Sequence, residues 1–124
     1  MSIEPYPMPQ GECLFTEGSP TLCLRLETSR ERLALPYAGL VSLSLSTDDT
    51  LMTVFFVAHR VIVKGRKLTE IFRAVAAGSA HGLGVGRRIL LQKNTLYNPS
   101  QPPEPEREIC AIVSIRIEPV EVAP

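Results

Sequence analysis

Few residues in the chain are equipped for chemistry. Two histidines, His59 and His81, and three cysteines, Cys13, Cys23 and Cys110, are the side chains suited to soft-metal ligation or nucleophilic attack near neutral pH. Neither histidine has a cysteine or carboxylate neighbour at ligand spacing and no C-x-x-C pair occurs, so no metal site, no catalytic residue and no cofactor is expected. The cysteines are odd in number and fall in or beside apolar segments, which predicts burial as small hydrophobic side chains; a bridge between Cys13 and Cys23 stays open at this level. His59 is expected at a hairpin turn, as a turn residue rather than a base. The run His81-Gly82-Leu83-Gly84-Val85-Gly86-Arg87-Arg88 has the composition of a phosphate cradle but the wrong context. Such glycines act when they follow a strand and open a helix whose amides face the anion, whereas here they follow a predicted helix and precede a strand. A flexible connection is the expectation. Asp48-Asp49 suits a turn, and Glu104, Glu106 and Glu108 ride on or beside a proline-rich loop as solvated groups.

The formal net charge of +0 hides a segregation. Residues 59–93 hold eight basic groups and one acidic, residues 1–58 three and seven, and residues 94–124 two and five. Within the basic segment, Arg60, Lys64, Arg66, Lys67, Arg87 and Arg88 are the residues by which such a face would hold an anion or the phosphates of a nucleic acid. A fold that brings the acidic flanks alongside would neutralise them, and that outcome is favoured. Phe72 is the only aromatic residue in the stretch, which leaves a base-stacking platform unsupported.

The elements that must position these groups are legible in part. A chain of 124 residues with 44% hydrophobic and 21% charged residues is expected to fold around one core. The first residues carry Glu4 and three prolines and lack an apolar signal region, and the longest apolar run, Val54 to Ala58, is far short of the ~20 residues of a membrane helix. A soluble, cytoplasmic protein with no membrane partner is predicted. Residues 1–11 read as a flexible arm and 12–124 as a single α+β domain, with a Pro-rich loop at 94–107.

Leu22, Leu24 and Leu26 alternate with Cys23, Arg25 and Glu27 as in a strand with one wet face. Val41, Leu43 and Leu45 alternate with serines, Thr47-Asp48-Asp49 supplies a turn, and a return strand at 51–57 is apolar on both faces, as for a central strand. A third strand at 60–64, closed by Gly65, completes a meander. Leu68, Ile71, Phe72 and Val75 then repeat at helical spacing, which predicts an amphipathic helix at 66–77 capped by Gly78, with Arg66 to Glu70 and Glu70 to Arg73 pairs on its wet side. Strands at 88–92 and 108–117 follow, the second with Ile109, Ala111, Val113, Ile115 and Ile117 on one face. The fold class is α+β: a mainly antiparallel sheet of about five to six strands, open or partly closed into a barrel, covered by one helix.

Three functional readings follow. The first is a non-catalytic binding or assembly protein that meets a protein partner or self-associates, with 108–117 as a candidate edge. The second is an anion or nucleic-acid binder using 59–93. The third is a small enzyme with a site near the Gly82–Arg88 loop, which would need a pocket where a histidine or cysteine meets other polar groups.

Overall fold

In the computed structural model, which describes residues 12–16, 21–90 and 107–120, the chain runs β1 (Leu14–Phe15), β2 (Cys23–Glu27), β3 (Arg32–Pro36), β4 (Leu40–Leu45), β5 (Leu51–Phe56), β6 (His59–Arg66), α1 (Thr69–Ala76), β7 (Gly82–Gly84), β8 (Gly86–Leu90) and β9 (Arg107–Pro119). The arm at 1–11 and the loop positions 94–106 lie outside the described residues; Arg107, counted with that loop by composition, is instead the first residue of β9.

The strands form two sheets. The predicted meander is present as β4-β5-β6, and β9 and β8 extend it antiparallel to a five-stranded sheet in the order β4-β5-β6-β9-β8. β5 lies inside it, with Met52, Val54 and Phe56 buried on one face and Thr53 and Phe55 half-buried on the other. Among the described residues the sheet is open, ending at β4 and β8. The second sheet, four strands in the order β1-β7-β2-β3, differs from the expectation of a single sheet. It is antiparallel except where β7 runs parallel to β2. Leu24, Leu26, Leu35 and Leu83 from this sheet, Met52, Val54, Val61 and Val63 from the larger one, and Leu68, Ile71 and Val75 from the helical segment share one buried cluster. That common core holds the layers together, each buried aliphatic side chain contributing roughly 1.5–3 kcal/mol of transfer free energy.

The apolar ridge of the helix docks as its periodicity predicts: Leu68, Ile71 and Val75 are fully buried, Phe72 packs at the margin, and α1 lies against β4 and β9. Its start differs. Arg66 still belongs to β6, and Lys67 has φ 52°, a left-handed conformation that no helix accommodates, so the helix begins at Thr69 rather than 66. Gly78, at φ 69°, ends it as expected, its amide donating to the Val75 carbonyl at 3.0 Å.

Two further expectations are corrected by strand register. Gly65 does not close a strand; it sits within β6 where the β9 backbone passes so close that a Cβ would lie 1.9 Å from the Ala111 carbonyl oxygen. At that point Lys64 faces Ser114 and Gly65 faces Ile112, so Val113 is an extra residue in β9. The alternation therefore changes phase. Ile115 and Ile117 pack on the core beyond the irregularity, Cys110 and Ile112 before it, and Val113 is exposed rather than aligned with them.

Candidate functional site

The charged residues of the basic segment are placed by the β6-β9-β8 register. Arg60 lies directly across from Glu118 and binds its carboxylate through two guanidinium nitrogens, and Arg116 reaches the other oxygen of the same group at 2.9 Å. Arg66 grips Glu108 with two hydrogen bonds of 3.0 and 3.3 Å, Lys67 donates to the Glu108 carbonyl at 3.2 Å, and Arg87 stands 3.9 Å from the Glu108 carboxylate. Arg88 pairs with Glu70 at 3.4 Å. The expected Arg66 to Glu70 pair does not form, because Arg66 is on a strand and not on the helix. Lys64 is exposed on β6 opposite Ser114. The guanidinium partners hold Glu108 and Glu118 below the usual glutamate range, a mark of carboxylates that stay ionised in these pairs. An incoming anion would have to displace them.

The glycine run is not a loop. Gly82–Gly84 is strand β7, buried, and flanked by β1 and β2, with the amides on its path engaged: Arg25 donates to the His81 carbonyl at 2.9 Å, His81 to Phe15 at 2.8 Å and Gly84 to Cys13 at 3.1 Å. His81 is half-buried with its ring T-shaped to that of Phe15 and its Nδ1–H donating to the Ser79 carbonyl at 3.1 Å. His59 is the first residue of β6, opposite Pro119. Among the described residues no three His, Cys, Asp or Glu side chains converge.

A cleft of about 490 Å³ lies between the β2–β3 turn, Thr28 to Glu31, and Ile115, Arg116 and Ile117 of β9. Beyond Ile112 β9 has β6 on one side and no strand among the described residues on the other, so the cleft runs along a free backbone edge. The hydroxyls of Thr28 and Ser29, two arginines, Arg30 and Arg116, and one carboxylate, Glu31, line it, without a histidine or cysteine.

The cysteines are arranged in a way that sequence separation conceals. Cys13 and Cys110 are buried with their sulfurs 3.3 Å apart, although 97 positions separate them. Cys23 is half-buried at the start of β2, opposite Pro36, and all three thiols are free. The pair left open in the sequence, Cys13 with Cys23, is therefore not the one that meets.

The remaining feature is a contrast among strand edges. β1 is two residues long, β3 begins at Arg32 and ends at Pro36, β8 carries Arg87 and Arg88 and a register shift, and the free half of β9 carries Arg116, Glu118 and Pro119. Each has a device that discourages pairing with another chain. β4, with the sequence Leu-Val-Ser-Leu-Ser-Leu, has no charge and no proline, and its one irregularity, at Val41, is confined to its start. The expected edge at 108–117 is so only in part: β8 covers β9 up to Ile112, β6 runs along it from Ala111 onward, and beyond Ile112 its other side has no strand among the described residues.

These features define a two-sheet α+β domain with, among the described residues, one unguarded edge. Comparison with known protein families, curated protein sequences and solved structures finds no match. No helix among the described residues is long and apolar enough to cross a membrane.

Proposed function

We propose that the protein is a non-catalytic assembly module that pairs with a second copy of itself along the outer edge of β4. The supporting observation is the composition of that edge against every other strand end. Antiparallel pairing about a two-fold axis at Ser44 sets Ser44 against Ser44, Leu43 against Leu45, and Ser42 against Ser46 of the second copy. Hydroxyl then meets hydroxyl on the outer face and leucine meets leucine on the inner face, the matched cross-strand pairs that favour a given register. Leu43 and Leu45 already pack on the core, so pairing would extend that apolar layer across two five-stranded sheets. Val41, 67% exposed, adds apolar surface at the end of the contact. A two-fold interface of this kind uses the same strand on both copies and closes as a dimer.

Light scattering coupled to gel filtration tests this. The wild-type chain runs with twice its monomer mass at high concentration. Ser44→Lys, an exposed position whose change leaves the folded monomer intact, places like charges face to face on the axis and runs as a monomer with an unchanged circular dichroism spectrum. A wild-type monomer at every concentration, or a Ser44→Lys dimer, contradicts the proposal.

A further inference from the structure

We infer that Cys13 and Cys110 are a modification site: a thiol pair that closes reversibly into an intramolecular disulfide by exchange with a low-molecular-weight disulfide of the glutathione class. The inference is independent of the β4 edge. It rests first on distance. The two sulfurs stand 3.3 Å apart, so a shift of about 1.3 Å brings them to the ~2.05 Å of a disulfide without a new backbone path. It rests second on how the fold creates the contact. The extra residue at Val113 reverses the facing of β9 and turns Cys110 into the core, while Cys13 is delivered from the other sheet by β1.

The two partners also differ in mobility and chemistry. β1 has two residues, lies at a sheet edge and, among the described strands, pairs with β7 alone, so it can open without disturbing the five-stranded sheet. Cys110 lies within the 13-residue β9, paired with Arg88 of β8 and next to Ala111, where the β6 ladder begins, and stays in place. A hydrogen bond from Cys110 lowers the pKa of Cys13, and nearby Arg88 acts in the same direction, whereas Cys110 is pushed up by its interaction with Cys13 and by burial. Cys13 is thus the attacking sulfur and Cys110 the resolving one.

The exchange balances in two steps. The Cys13 thiolate attacks one sulfur of the small disulfide, whose S–S bond breaks; a mixed disulfide forms and one small thiolate leaves and takes up a proton. With β1 closed again, Cys110 gives up its proton and attacks the Cys13 sulfur, the mixed disulfide breaks, and the second small thiol leaves. Two protein thiols are oxidised to one disulfide and one small disulfide is reduced to two thiols, with no other reactant. Cys23, at the start of β2, has no part in it.

Incubation of the folded protein with oxidised glutathione, followed by acid quench, alkylation and non-reducing digestion, reads the outcome. In wild type and in Cys23→Ser, a peptide containing Cys13 is expected to be linked to one containing Cys110, with the intact chain lighter by two hydrogens, a higher melting temperature, and full reversal by dithiothreitol. The inference is overturned if both cysteines in Cys23→Ser remain alkylatable even just below the melting temperature, if Cys13 stops as a glutathione adduct, or if the bond joins two chains.

Discussion

Tyr37 sits in the short 3₁₀ turn, Tyr37 to Gly39, by which the chain leaves one sheet and enters the other. Its hydroxyl donates to the Ala80 carbonyl at 2.6 Å and its amide to the Leu22 carbonyl at 2.8 Å, so a single residue ties the crossing both to the residue that precedes β2 and to the link between α1 and β7. Burial pushes its phenol up to about 12 from the ordinary 10.0. A group whose pKa is raised by folding contributes fully below its unfolded value, and the contribution drains away as pH rises through the folded one. Denaturant melts taken from neutral pH to beyond pH ~12 should therefore show stability falling above about 10. Tyr37→Phe should be about 1 kcal/mol less stable at neutral pH, through the lost hydrogen bond, and fall less steeply in alkali. An identical slope in both proteins would refute the assignment. At this scale Leu68, Ile71 and Val75 were readable from spacing alone, because helical periodicity is local. The Cys13 to Cys110 contact was not, since nothing local relates residues 97 apart.

The strands show where local pattern gives way to pairing. β4 alternates as a half-buried strand does, β5 is apolar on both faces as a central strand is, and a turn rich in Ser and Asp joins the two, where Asp48 accepts from the hydroxyls of Ser46 at 2.7 Å and Thr50 at 2.8 Å. β7 gives no such sign. Two of its three residues are glycine, which has low strand propensity, and it becomes a strand because β1 and β2 hydrogen-bond it from both sides. β3 follows a polar cluster and ends in proline, which reads as loop until its ladder with β2 is seen. The candidate cations were identifiable by type, whereas their carboxylate partners depended on β9 lying between β6 and β8. Gly65 tests that junction most sharply. Because its missing Cβ makes room for the Ala111 backbone, Gly65→Ala should cost about 1–3 kcal/mol in denaturant unfolding, as overpacking does. A variant as stable as wild type would mean that β6 and β9 do not approach as described.

At the scale of the whole molecule, two sheets and a helix close on one core, and the five-stranded sheet stops at β4 without a charge, a proline or a strand beyond it among the described residues. Such an edge presents a row of backbone donors and acceptors, and under the proposed self-association an identical copy would satisfy them with matched side chains. Hydrogen exchange followed by mass spectrometry over a range of protein concentrations reads those amides directly. Peptides covering 42–46 should exchange more slowly as concentration rises, while peptides covering β3 and β8, the guarded ends, keep a constant rate. Exchange of 42–46 that does not depend on concentration would contradict self-pairing along β4.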